Sequence, residues 1–440
     1  MYRRGSRGAI DLLEPLERSR HLQVSRKPVE SMDQTECCMD HTPEPTKILV
    51  INCGSSSLKY EVYEMPSQTS LGKGLVDRIG IDDGSIVHQG VNGSYGRQED
   101  IPDHARAMEL VIEALTDARN GIVDTVDEIA GVGHRVVHGG EAYSASVVID
   151  EAVEAAIETN VELAPIHNPA NLTGIREARS VFDHQKHVAV FDTAFHQTLP
   201  PAAYLYGLPR ALYEKYRIRR YGFHGTSHRY VASKAVELLK RSPENTNLIT
   251  CHLGNGCSVT AIRNGRSVDT SMGFTPLEGL IMGTRSGDID PAIVFFLLER
   301  GMTVDELNAM LNKESGMKGL SGISNDLRDV EEAAELGDRN AVEALDVYAH
   351  RVRHYIGAYA AGLVKVDVLV FTGGVGEHGT RMRQRICRRL ENLGIAMDYR
   401  KNLENGPLRG VISMDYSPTT IVVQPTNEEL QIAIDTFDRI

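Results

Sequence analysis

Cysteine is scarce in this chain: Cys37, Cys38, Cys53, Cys251, Cys257 and Cys387 are the only six among 440 residues. They lack the paired spacing of a zinc site and are too sparse for a disulfide scaffold, so a reducing, cytoplasmic location is expected. Long apolar runs are missing as well. No stretch reaches the ~18 residues needed to span a bilayer, and no continuous apolar segment near the N-terminus makes a signal peptide, so neither membrane insertion nor secretion is expected. Positive charge is in deficit, with 47 Lys and Arg against 60 Asp and Glu and a formal net charge of −13. That balance argues against a nucleic-acid or anionic-membrane partner, and any anionic substrate must meet a local cluster of basic residues. The common phosphate motifs are also missing: there is neither a Gly-x-x-x-x-Gly-Lys-Ser/Thr loop nor a dinucleotide fingerprint at a strand-to-helix turn.

What is present is a globular chain, 41% hydrophobic, long enough for two or more domains. Residues 1–45 mix charges, prolines and the Glu36-Cys37-Cys38 cluster without an apolar period, and read as a weakly ordered extension. Arg3, Arg4 and Arg7 have the charge of a transit peptide, Asp11, Glu14 and Glu17 argue against one, and Met39 is an alternative start. Structure is expected from Lys47. Ile48–Asn52 is a buried-strand pattern, Gly54-Ser55-Ser56-Ser57 a turn, and Leu58–Tyr63 an alternating second strand. The arrangement returns two hundred residues later, where Leu248–Leu253 runs through Gly254-Asn255-Gly256 into Ser258–Ile262, followed by an Asn264-Gly265 turn. This repeat predicts two related α/β halves. Helical periods cover Ala105–Ala118, Ser227–Lys240 and Val342–Leu363, a third glycine turn closes the strand Val366–Phe371, and a last helix starts at Thr426, with Glu429 at capping-box spacing.

Hairpin tips made of Ser and Gly expose backbone N–H groups that can cradle phosphates, although a single such tip is usually only a hairpin. Beside them lies an unusual density of His and Arg next to glycine, in Gly133–Glu141, Tyr221–His228 and Met282–Asp288. Taken singly, each Arg reads as a salt bridge and each His as a loop residue. Three glycine-flanked clusters in an acidic protein point instead to an anion.

The segments Asn52–Lys59 and Gly222–His228 closely resemble the two signature motifs of the acetate kinases. The resemblance continues in order through Gly133–Glu141, Pro165–Pro169, Phe191–His196, His252–Gly256, Met272–Pro291, Ser324–Arg328, Thr372–Glu377 and Pro425–Glu429. It implies the α/β fold of sugar kinases, actin and Hsp70 ATPases: two duplicated ribonuclease-H-like domains, with the active site in the cleft between them. The expected division is 46–193 plus 427–440 for the first domain and 194–426 for the second. The resemblance also implies a homodimer, ATP or ADP as co-substrate, acetate or acetyl phosphate as the other substrate, and Mg2+, with Mn2+ as the alternative metal.

Carried over by position, Arg135 and Arg285 flank the transferred phosphoryl, with His224 and Asn255 as donors to it. Asn52, Ser55, Ser57 and Lys59 match the first phosphate turn and metal region, and Asp192 and Glu428 match the acidic residues tied to metal and catalysis. Val137, Ile166, Phe223 and Pro276 match an apolar pocket for the acetate methyl. The nucleotide is expected on Lys59, His252, Asn255, Gly256, Asp326, Leu327, Arg328, Gly374, Val375, Gly376 and His378. His378 stands where the family commonly has Asn, and Gly373 where it commonly has Ala. Glu429 reads as a helix cap, His134, His138 and His228 as supporting or structural residues, and Cys53 as a buried small residue.

A carboxylate acceptor is ionised at neutral pH, so it needs no general base, only relief from charge repulsion. The rivals are a propionate or butyrate kinase of the same family, a sugar kinase using Asp192 as base, and a non-catalytic nucleotide-binding protein of the same fold. The last two leave the Arg and His excess without a role.

Overall fold

The computed structural model describes residues 44–165, 167–404 and 410–440. The expected extension lies outside them except for Glu44 and Pro45, as does Ile166. The strands are β1 (Thr46–Cys53), β2 (Ser57–Met65), β3 (Thr69–Asp77), β4 (Ser85–Gly90), β5 (Gly93–Gln98), β6 (Ile129–Val136), β7 (Val147–Val148), β8 (Lys186–Phe191), β9 (Asn247–Leu253), β10 (Cys257–Arg263), β11 (Arg266–Thr270), β12 (Val368–Thr372), β13 (Gly410–Val411) and β14 (Thr420–Val423).

They form two sheets, ordered β5-β4-β3-β2-β1-β6-β8-β7 and β11-β10-β9-β12-β14-β13. Within each sheet lies the same five-strand unit. In the first, β3, β2 and β1 are antiparallel neighbours, and β6 and β8 follow parallel to β1. In the second, β11, β10 and β9 are antiparallel neighbours, and β12 and β14 follow parallel to β9. The repeated hairpin in the sequence is therefore the visible part of a duplicated α/β domain.

The parallel strands are the apolar ones because both their faces are covered. Every residue of β12 is buried, as are Ile48 to Ile51 of β1. The helices Gly225–Leu238 and Glu428–Phe437 lie between the sheets, where Val231, Ile432 and Ala433 share one cluster with Val50 and Val190 of the first sheet and Leu248 and Val370 of the second.

Two local expectations are corrected. The segment after β12 is not a turn but enters the helix Gly373–His378 directly. The last helix is Glu428–Phe437, capped by the Asn427 side chain, which accepts from Leu430 N–H at 2.9 Å, so neither Thr426 nor Glu429 supplies that cap.

Candidate active site

In an open sheet, residues just past the carboxyl ends of parallel strands gather on one edge, where ligands bind. Asn52 near the end of β1, Arg135 near the end of β6 and Asp192 just after β8 meet on that edge of the first sheet. Asp192 is buried and accepts from Arg135 twice, Nη2 to Oδ2 at 2.7 Å and Nε to Oδ1 at 3.3 Å; Arg135 Nη1 lies 3.5 Å from Asn52 Oδ1. The Asp192 carboxylate holds the Arg135 guanidinium above its already high range. Glu428, at the start of the last helix, feels Arg135, Asp192 and Lys59, and burial pushes its carboxyl up to about 7 against the pull of Arg135. Lys59 is exposed on β2 opposite Asn52.

On the second sheet, His252, one residue before the end of β9, pairs with Thr372 of β12, and the Gly254–Gly256 tip is closed by Gly254 N–H donating to Gly256 O at 3.1 Å. The matching tip on the first sheet is closed by Gly54 N–H donating to Ser57 O at 2.8 Å. His224 joins the two sides. Its backbone is left-handed, φ +57°, an uncommon conformation for a residue with a side chain. The next residue, Gly225, donates its N–H to Asp192 O at 2.9 Å, and a Cβ there would lie 2.3 Å from that oxygen, so only glycine lets the helix start this close to Asp192. The His224 ring stacks on His252 at 4.3 Å between centroids. Burial, the neighbouring His252 and His228, and both arginines hold His224 neutral, well below its ordinary range.

Arg285 differs from Arg135. It donates to Pro276 O at 3.2 Å and contacts Met282 Sδ, but among the described residues no carboxylate pairs with it. Burial lowers its pKa. A Cβ placed on Gly256 would lie 3.3 Å from His224 Nε2 and 3.8 Å from Arg285 Nη1, so both reach the same glycine tip. Val137 and Phe223 are buried in one cluster with Ala164; Pro276 presents its carbonyl to Arg285.

A cavity of about 500 Å3 adjoins the second tip and is lined by Asn255, Asp326, Leu327, Arg328, Gly374, Val375 and His378 from the sequence reading. Gly376 is buried behind this wall, with its carbonyl accepting from Arg383 Nη1 at 2.8 Å. Asp326 caps the helix Leu327–Glu335 and pairs with Arg328, which lowers its carboxyl pKa to about 2.

Sequence reasoning missed Met317, Glu331 and Tyr348 on the same wall, all brought there by tertiary contact. It also left His167 without a role. His167 lies where both arginines, after burial, depress its pKa, and its only signal was the Pro165–Pro169 segment.

Among the described residues no group of three or more His, Cys, Asp or Glu side chains could hold a metal as a closed cage. A hydrated Mg2+ held by one or two carboxylates and by substrate phosphates needs no such cage. Asn52, Asp192 and Glu428 offer hard oxygen donors of that kind.

Duplicated sheets of this order, bringing glycine tips and cations to one cleft, place the chain among the phosphotransferases that share the fold of sugar kinases, actin and Hsp70. The Acetokinase family model matches residues 47–434, and the chain belongs to that family, whose phosphoryl acceptor is a carboxyl group. It is 52% identical to the acetate kinase of Desulfitobacterium hafniense over 396 residues, 90% of this chain and 99% of the relative. The crystal structure of Porphyromonas gingivalis acetate kinase superposes with a TM-score of 0.86 at 45% identity, covering 89% of this chain and 99% of that one. A propionate kinase from Francisella tularensis superposes with a TM-score of 0.84 at 41% identity, covering 90% and 100%.

Proposed function

We propose that this enzyme transfers a phosphoryl group reversibly between ATP and acetate, giving acetyl phosphate and ADP, by direct in-line displacement. The observation that carries the reading is Arg285: a partly buried guanidinium with no carboxylate partner among the described residues, beside a neutral imidazole and a glycine tip. Such a cation awaits an anion. Acetate approaches already ionised, so the chemical problem is the repulsion between two anions. Arg135 and Arg285 relieve it from two sides of the phosphoryl group, and their planar forks can each hold two oxygens. His224 and Asn255 donate further hydrogen bonds, and Asp192 keeps Arg135 aimed. Val137, Phe223 and Pro276 enclose the methyl group and exclude water, and Ile166 is assigned to the same pocket by the resemblance alone.

The nucleotide occupies the cavity of about 500 Å3, with its adenosine between the Asp326–Arg328 and Gly374–His378 walls and its phosphates toward Lys59, His252 and Gly256. Mg2+, or Mn2+ in its place, is held by Asn52 and Glu428 near Asp192 and, when bound, neutralises phosphate charge.

We assign 46–193 with 427–440 to the first domain and 194–426 to the second; the segregation of β1–β8 and β9–β14 into separate sheets supports this. A homodimer is supported by the helix Ala292–Leu298, where Ile293, Phe295, Phe296 and Leu298 are exposed side by side. The described cysteines, all buried thiols, agree with a cytoplasmic location, and no described helix is long and apolar enough to cross a membrane.

An acyl-hydroxamate assay with acetate, propionate and butyrate against ATP, GTP and pyrophosphate tests the reading. Acetate with ATP is expected to give the highest kcat/KM. Preference for propionate, as the name of the Francisella relative suggests for that enzyme, keeps the reaction type and overturns the acceptor.

A further inference from the structure

A neutral imidazole has one donor and one acceptor nitrogen, and the hydrogen bond made by one decides what the other offers. His224 Nδ1 lies 2.9 Å from Ser258 Oγ, the same oxygen lies 2.7 Å from His228 Nε2, and His228 Nδ1 lies 2.7 Å from Thr250 Oγ1. Ser258, His228 and Thr250 are fully buried, on β10, on the helix Gly225–Leu238 and on β9. Burial and neighbouring imidazoles hold both histidines neutral.

Four protons then have three arrangements that make all three bonds. In one, both histidines donate to Ser258, and its own buried hydroxyl proton is left without an acceptor among the described residues, which disfavours it. The other two run along the chain in opposite directions. In the first of these, Thr250 donates to His228 Nδ1, His228 Nε2–H donates to Ser258, Ser258 donates to His224 Nδ1, and His224 keeps its proton on Nε2. In the other, every bond reverses, His224 presents a bare Nε2, and the Thr250 hydroxyl proton must find another acceptor. Among the described residues the Thr250 hydroxyl has His228 as its only hydrogen-bond partner. A buried hydroxyl proton without an acceptor is disfavoured, whereas an unused lone pair on the same oxygen is tolerated. The first direction is the satisfied one. Its open end, His224 Nε2, lies at the Gly256 tip next to Arg285.

We propose that Thr250, His228 and Ser258 form a one-way hydrogen-bond chain that fixes the tautomer of His224 with its proton on Nε2, making it a donor toward the phosphoryl group. The proposal rests on the reading of His224 as a phosphoryl-contacting residue. The three residues behind it are positioning residues and touch no substrate. A second, shorter chain ends in the same serine-to-Nδ1 contact: Thr426 Oγ1 to Ser227 Oγ at 2.8 Å, and Ser227 Oγ to His252 Nδ1 at 2.8 Å. Two stacked imidazoles are thus each backed by a serine. Fixing tautomers lets the cleft gain directed donors without adding charge to the two arginines already there.

The test combines nitrogen NMR of the full-length, 15N-histidine-labelled enzyme with kcat and KM for Ser258→Ala, Ser258→Thr, Thr250→Val, His228→Gln and His224→Ala. The wild-type spectrum is expected to show His224 protonated on Nε2, and Ser258→Ala or Thr250→Val a mixture of tautomers. A wrong tautomer in a catalytic triad costs ~10⁴-fold, and alanine only frees the choice, so kcat of Ser258→Ala should fall by roughly 10–10²-fold with both KM values nearly unchanged. Ser258→Thr, which keeps the hydroxyl, and His228→Gln, which keeps a donor near the Nε2 position, should recover most of it. A wild-type His224 protonated on Nδ1, or a Ser258→Ala enzyme with normal kcat, overturns the chain. The wild-type spectrum needs no variant to fold. Near-normal kcat in His224→Ala would instead overturn the phosphoryl-contact reading on which the proposal rests, while the spectrum would still decide the tautomer.

Discussion

Arg135 is gripped by Asp192 through two separate hydrogen bonds, from Nη2 at 2.7 Å and from Nε at 3.3 Å, so the carboxylate both neutralises and aims it. In Asp192→Asn the charge is lost while one acceptor remains. A hydrogen bond to a charged group is worth ~1.5–3 kcal/mol, so kcat should fall by roughly 10–10²-fold. Because the acceptor substrate needs no base, the shape of the pH–rate profile around neutrality should not change. Loss of a single-deprotonation limb in Asp192→Asn would assign Asp192 as a proton acceptor and favour a hydroxyl substrate.

Among the described residues Arg285 has no such partner, so on its proposed role its removal would take away phosphoryl stabilisation without stranding a carboxylate. Arg285→Ala is expected to lower kcat by at least ~10³-fold, the scale of an arginine finger, with a melting temperature close to that of the parent. Arg285→Lys should recover little, because one ammonium cannot span two oxygens. Steady-state kinetics and thermal melts of the purified variants decide it; near-normal turnover removes Arg285 from the reaction.

Much of this was readable before any coordinates. The tips at Gly54 and Gly254 announced themselves because small residues interrupt two apolar runs, and the repeat exposed the duplication. Other features were hidden for physical reasons. Thr426 and Asn427 are both good caps, and only the backbone geometry decides that Asn427 serves. Gly373 reads as a turn residue, yet β12 passes straight into a helix there. Tyr348, in the long helix Arg339–Leu363, and Met317 have the spacing of core residues, and nothing local tells that their edges line a cavity. The Thr250–His228–Ser258 chain joins three elements distant in sequence, which pattern reading cannot pair.

In the proposed acceptor pocket, Val137 and Phe223 are 6% and 2% exposed in one cluster, and their size should set acceptor length. An extra methylene gains ~0.8 kcal/mol where room exists and costs ~1–3 kcal/mol where it does not. Val137→Ala should therefore raise kcat/KM for propionate relative to acetate several-fold, within the ~10–200-fold that one methylene can discriminate. An unchanged ratio places the alkyl end of the acceptor elsewhere.

Acid should weaken the fold earlier than carboxylate protonation alone dictates. His138 and His196 are completely buried, and burial lowers the pKa of each to about 4. In the unfolded chain they protonate near ~6.5, so the unfolded state binds more protons below that value and stability falls with pH. The loss should begin near pH 6.5 and level off near pH 4, at up to ~1.4 kcal/mol per pH unit for each histidine. Urea midpoints at pH 7.5, 6.0 and 5.0 measure it, and equal midpoints would refute it.

The helix Glu428–Phe437 packs against β1, β2 and β6, although the whole second sheet intervenes between it and those strands in the chain. During synthesis on the ribosome, β1, β2 and β6 emerge before the second sheet and wait for their covering helix until that sheet has been made. Glu428 arrives beside Arg135 and Asp192 with that same helix. A nascent chain therefore cannot close its first half, or bring Glu428 to Arg135 and Asp192, before the second sheet has been made, and a truncation that removes this helix is expected to yield an incomplete first half rather than a smaller enzyme.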